Sequence, residues 1–239
     1  MANQEESDLE LEFSAVQSAG LLNLEMVLLQ EAEKGYLQIP STEDMAKHVR
    51  YVADAIVENL LRIIGKSNLQ SYAYGSLINS YIGQLRDSFR SIVTESTMNG
   101  ELPDQSKLTK LKYMSSFYLE VLAGLGRAEG GRMEITNILI KISPYTNRHY
   151  ESADIDGAIE SLKRIVDANR LPLEYYLKTV EDSIASSKRT QFEYISYLNS
   201  ISGHRENSDI IRNEKARLDR SKCVEQALTT YLAELKQSQ

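Results

Sequence analysis

Between Met45 and Ile64 the apolar residues are Met45, Val49, Val52, Ala53, Ile56, Val57, Leu60, Leu61 and Ile64. They recur at three- and four-residue steps with adjacent pairs between, the spacing of one buried helix face. Ser41 with Asp44 three residues on makes a capping box in front of this face, and Gly65 stops it. The same reading finds a first helix from about Ser7 to Lys34, ending at Gly35. Ser67 with Gln70 repeats the capping signature and predicts a third helix to about Thr97.

A turn at Asn99–Asp104 then leads into a fourth helix to Ala123, with Leu108, Leu111, Met114, Tyr118, Val121 and Leu122 facing inward. A short fifth helix is predicted over Arg132–Ile142 and a sixth over Ile155–Ala168. Pro172 opens a seventh that runs to Ser202, and Asn207 or Ser208 caps an eighth that continues to Leu235. "YLQIP", the nearest approach to a strand, ends in proline. The expected fold class is therefore all-α, an elongated antiparallel multi-helix bundle or helical array of about eight helices. One domain, residues 1–239, is expected, with the polar loop at 143–154 as the candidate subdomain boundary.

Composition narrows the function. Lys and Arg number 27 against 34 Asp and Glu, a formal charge of −7, and no window is dominated by basic residues. Nucleic-acid phosphates, which need clustered Lys and Arg, are not the expected partner. No apolar run approaches the roughly 20 residues of a membrane span, and "MANQEESDLELE" is unlike a secretory or transit signal. The single Cys223 excludes an intramolecular disulfide and reads as a small packed thiol on the last helix. The expected location is cytoplasmic or nuclear.

The glycine-dense "AGLGRAEGGR", Ala123–Arg132, lacks the spacing of a dinucleotide fingerprint or a P-loop, and a helical pattern precedes it. It is expected to break or hinge the helix. His48, His149 and His204 form no metal-ligand spacing with each other or with Cys223, and no paired acids face one another. No catalytic residue, cofactor or metal site is read, and the chain is not expected to be an enzyme.

The anomaly is the third helix, where Ser67–Leu85 contains no charged residue. A helix without charges is covered on more than one side, by its own chain or by a partner. Tyr72, Tyr74, Leu77, Ile78 and Tyr81 are the candidate partner-binding residues, because tyrosine gives large contact area with a polar tip. On the last two helices, Leu173, Leu177, Val180, Ile184, Ile195 and Leu198 face a seam of Ile211, Leu218, Val224, Leu228, Tyr231 and Leu235. This predicts an intramolecular hairpin, with a dimerising coiled coil as the alternative.

Helix order and lengths, with "NLLRIIGK" and "KLKYMSSFYLEVLAG", resemble the 14-3-3 proteins, all-helical dimers that grip phosphopeptides. In that family an Arg-Tyr pair follows the paired aromatics and holds the phosphate. Here Leu119 and Glu120 follow Phe117 and Tyr118, and a carboxylate there repels a phosphate. What the resemblance implies is architecture.

The function expected is that of a non-enzymatic adaptor or scaffold binding a protein or peptide, favoured if basic, through a helical face, with a homodimer as a further expectation. A phosphopeptide reader with 14-3-3-like architecture is one alternative; it requires Arg50, Arg62, Arg86 or Arg90 to converge in a groove. A small-ligand binder or an enzyme without a recognisable motif is the other.

Overall fold

A computed structural model describes residues 2–34, 42–97, 105–143, 154–169, 172–201 and 208–237. Among these the chain is all-helical, with seven α-helices, one 3₁₀ turn and no strand. The helices are α1 (Ala2–Lys34), α2 (Thr42–Gly65), α3 (Tyr74–Thr97), α4 (Gln105–Ile142), α5 (Ile155–Asn169), α6 (Leu173–Ile201) and α7 (Ser208–Gln237). The capping box at Ser41, the turn at Asn99–Asp104, most of the 143–154 loop and the cap at Asn207 lie outside the described residues. Two compact units are present, Met1–Glu129 and Gly130–Gln239.

The first unit follows from the stripe on α2. Val49, Ala53, Ile56, Val57, Leu60, Leu61 and Ile64 are all buried, as their spacing requires, and Val52 is half-buried at the edge. Each buried aliphatic side chain contributes about 1.5–3 kcal/mol, so this stripe is the largest single reason the helix is held in place. Helix α1 lies against both α2 and α3. Its inward residues are Val16, Gly20 and Leu24.

Three polar contacts fix how α1 sits. The Tyr81 hydroxyl donates to the Val16 carbonyl at 3.1 Å, and Gln17 Nε2 donates to Ser80 Oγ at 2.6 Å. Near its N-terminal end, Glu12 accepts the backbone N–H of Asn68 at 3.2 Å.

Ser67 does not open the third helix. Its hydroxyl donates to the Ile64 carbonyl at 2.6 Å and accepts the Leu69 N–H at 3.3 Å. It therefore satisfies one of the orphan carbonyls at the end of α2. Gln70 is extended, a 3₁₀ turn follows at Ser71–Ala73, and α3 starts at Tyr74. A serine that can cap either end of a helix is ambiguous in sequence; here the carbonyl-side role prevails.

The glycines do not break the chain. The predicted fourth and fifth helices are one helix, α4, running through Gly124, Gly126, Gly130 and Gly131. Four interior glycines cost about 4 kcal/mol relative to alanine. Burial of Val121, Leu125, Ala128, Ile135 and Leu139 along the same helix exceeds that cost, and no proline removes a hydrogen bond. The inward face of α4 is also rotated from the expected one. Tyr113, Met114, Phe117, Val121 and Leu125 are buried, whereas Leu111, Tyr118 and Leu122 are only half-buried.

In the second unit, Asp154 caps α5 by accepting the Gly157 N–H at 3.0 Å, and α5 packs on α7. Helices α6 and α7 form the most extensive helix pair. They run in opposite directions: Glu181 meets Lys236 at 2.8 Å, and Lys188 meets Glu225 at 3.4 Å. Tyr175, Tyr176, Leu177, Val180, Ile184 and Leu198 bury against Leu218, Val224, Leu228 and Tyr231, so the hairpin closes within one chain.

The polar run that interrupts the α6 seam is part of this contact. Gln191 Nε2 donates to Ser221 Oγ at 3.1 Å and to Glu225 Oε2 at 2.9 Å, with Ser187 3.0 Å from Ser221. A satisfied polar cluster between otherwise apolar helices fixes their register, since a slip would strand these groups without partners.

Candidate functional site

Four of the five residues expected to face a partner belong to the chain's own core. Tyr74, Leu77, Ile78 and Tyr81 are buried, and Tyr81 is held by its bond to Val16. Only Tyr72, in the 3₁₀ turn before α3, is exposed, at 73%. The uncharged third helix is covered by α1, so the expected docking face on α3 is corrected to an intramolecular one. Absence of charge shows that a face is covered without showing by what.

Helix α1, which does the covering, has a second face. From Phe13 to Leu24 it too lacks any charged residue. With 100° between successive residues, Leu11, Ala15, Ser18, Leu22 and Met26 fall within one arc of about 80°, opposite Val16, Gly20 and Leu24. Every residue of this outer arc is exposed, Leu22 at 62%. Asp8 and Glu10 are exposed at its N-terminal end, with Leu9 between them. A helical stretch with apolar residues on opposite faces and no charge is ordinarily covered on more than one side; this one is buried on one.

The arginines required by phosphopeptide reading are each set against acids. Arg50 pairs with Glu120 at 3.9 Å, Arg62 with Glu58 on its own helix, and Arg86 and Arg90 both with Asp87, at 3.8 and 3.9 Å. The pairs of Arg62, Arg86 and Arg90 are exposed and local, and that of Arg50 ties α2 to α4. They describe a charged surface rather than an anion cradle.

A groove of about 540 Å³ lies between α5 and α7, lined by Asp156, Glu160, Lys163, Thr230, Tyr231 and Glu234, with Cys223 at its edge. Lys163 bridges Glu160 at 3.3 Å and Glu234 at 3.5 Å, and with Asp156 beside them the groove stays net acidic. The hydrogen bond to Glu160 and the charges of Glu160 and Glu234 hold the Lys163 ammonium protonated above its ordinary range. Cys223 is exposed, not packed, because it lies to one side of the Ser221, Val224 and Leu228 face that α6 covers. His48 is half-buried beside Tyr113, ring centroids 6.3 Å apart. Among the described residues, no three His, Cys, Asp or Glu side chains converge as a metal-ligand set, and no helix is long and apolar enough to cross a membrane.

Burial pushes the Tyr81 phenol up to about 12 and raises that of Tyr176 as well. Tyr231 is pushed up to about 12 by burial first, then by the charges of Asp167 and Glu234. A folded-state value above the unfolded one means the fold favours the neutral phenol. Their contribution to stability is therefore complete below about pH 10 and is lost as pH rises through about 12. Chemical-denaturation midpoints measured from pH 8 to pH 12 should fall steeply over the upper part of that range. The Tyr231 hydroxyl has no protein partner among the described residues. Tyr231→Phe should consequently keep the neutral-pH midpoint and flatten the alkaline fall; an unchanged alkaline slope would contradict the assignment.

Comparison with protein-family models, with curated proteins and with solved structures finds no match to this chain.

Proposed function

We propose that the chain is a non-enzymatic adaptor that docks a helix of a partner protein on the outer face of α1. The observation that carries this reading is the pair of opposed faces on α1. Val16 and Leu24 are buried inward, while Leu11, Leu22 and Met26 stand in solvent on an uncharged outward arc. Covering three such side chains is favourable at about 25 cal/mol per Å² of apolar surface, and a second amphipathic helix is the shape that fits a straight stripe. Asp8, Glu10 and the overall charge of −7 favour a basic partner and speed its encounter. The elongated antiparallel arrangement expected from the sequence suits an adaptor, because it presents long helix faces.

A synthetic basic amphipathic helix, labelled and titrated by fluorescence anisotropy, tests the face directly. It should bind the native chain with an affinity that weakens as salt rises, and Leu22→Glu should weaken binding by about tenfold or more. Leu22 is exposed, so this variant should keep the native circular dichroism and melting midpoint. Equal binding by native and Leu22→Glu protein would reject the α1 face, and no binding at all would reject a basic helical partner.

A further inference from the structure

The outward side of α4 carries a seam of a different kind. Leu119, Ala123, Gly126, Gly130, Met133, Asn137 and Ile140 follow one another at alternating steps of four and three residues. All seven are exposed, Leu119 at 62%, Met133 at 55% and Ile140 at 49%, and none is charged. This is the a/d pattern of a coiled-coil seam, about 32 Å long on a single helix. A Cβ built on Gly126 or on Gly130 meets nothing within 4 Å. Both glycines weaken the helix, and within the chain neither makes room for a neighbour.

Charges beside the seam say what would cover it. The residues flanking it on one side, one heptad apart, are Glu120, Arg127, Glu134 and Lys141, alternating in sign. We infer that the seam of α4 pairs antiparallel with the α4 seam of a second copy of this chain. In an antiparallel coiled coil the a positions of one helix meet the d positions of the other, and the residues after each d position face each other. One register sets Gly130 against Met133 of the second copy, Ala123 against its Ile140 and Gly126 against its Asn137. Small residues then oppose large ones along most of the seam, and the glycines admit close approach.

The same register sets Glu120 against Lys141 of the second copy and Arg127 against its Glu134. The two-fold axis repeats both pairs, so every charge on that side of the seam meets its opposite. A slip of one heptad one way sets Glu120 against Glu134 and Arg127 against itself. A slip the other way sets Arg127 against Lys141 and Glu134 against itself. A parallel pair would bring Glu129 to Glu134. Like charges thus disfavour the neighbouring alternatives. Within one chain, Glu120 meets Arg50 at 3.9 Å and Arg127 meets Asp54 at 3.8 Å. These exposed, long pairs contribute little and can exchange partners.

Sedimentation equilibrium on the full chain, from about 1 μM to about 1 mM, should show a monomer–dimer equilibrium. Arg127→Glu should raise the dimer dissociation constant about tenfold or more, by setting two like-charged pairs across the two-fold axis. Adding Glu134→Arg to that variant restores opposite charges and should return the constant to within about threefold of native. Met133→Glu and Gly130→Leu should abolish the dimer while leaving circular dichroism unchanged, since both positions are exposed. Leu22→Glu, on α1, should leave dimerisation unaffected. A chain that stays monomeric throughout overturns the inference. So does a dimer indifferent to Met133→Glu, or one weakened by Arg127→Glu that the charge swap fails to restore.

Discussion

Gly20→Ala is expected to destabilise the chain by about 3 kcal/mol and to lower its melting midpoint by roughly 10 °C. On propensity alone, the same change in a helix interior stabilises by about 1 kcal/mol. The sign reverses because a Cβ at Gly20 would run into the ring of Tyr81, 2.6 Å from Cε1 and closer still to Cζ and the hydroxyl. That ring cannot swing aside: Tyr81 is fully buried, and its hydroxyl is bound to the Val16 carbonyl one turn before Gly20. Either α1 moves off α3, losing the Gln17–Ser80 contact as well, or the tyrosine leaves its pocket.

Thermal melts of Gly20→Ala, Tyr81→Leu and the double variant separate the two sites. Removing the ring removes the collision, so the double variant should be more stable than the sum of the single losses by about 1 kcal/mol or more. Strict additivity would mean that Gly20 and Tyr81 do not touch.

This contact also shows what a sequence can and cannot disclose here. The period of α2 was legible because one face is wholly apolar from Val49 to Ile64 and all the charged residues of that span, Arg50, Asp54, Glu58 and Arg62, lie on the other. In α1 the two faces are nearly alike, since Leu11 and Leu22 are as apolar as Val16 and Leu24. No moment distinguishes the covered side from the open one. The uncharged run from Ser67 to Leu85 correctly marked a covered helix. It could not say that α1 was the cover, because Gly20 and Tyr81 lie 61 residues apart and only their packing relates them.

The continuity of α4 was hidden for another reason. Glycine is a local penalty, whereas the burial of Leu125, Ala128 and Ile135 that outweighs it is tertiary. The outer stripe of α4 has heptad spacing in plain sight, but spacing alone does not tell an exposed seam from a core one. Cys223 fails in the same way, one residue off a buried face.

The glycine-dense stretch itself yields the second large effect, because its members differ in what lies over them. A Cβ at Gly124 would stand 2.7 Å from Cγ2 and 3.3 Å from Cγ1 of Val57 on α2, and Val57 is buried. Valine in a helix is confined to one side-chain rotamer and cannot turn away. Gly124→Leu should therefore cost about 3 kcal/mol, and Gly124→Ala about 1 kcal/mol after the propensity gain is subtracted. Val57→Ala should recover part of the loss in Gly124→Ala, by making room for the added methyl.

At Gly126 and Gly130 nothing stands over the backbone, so alanine there should stabilise by about 0.5–1 kcal/mol each. Urea midpoints taken at sub-micromolar concentration, where self-association makes no contribution, measure these values for the single chain. Two substitutions two residues apart on one helix should thus move stability in opposite directions. If Gly124→Ala proved as stabilising as Gly126→Ala, α4 would not approach α2 through that glycine.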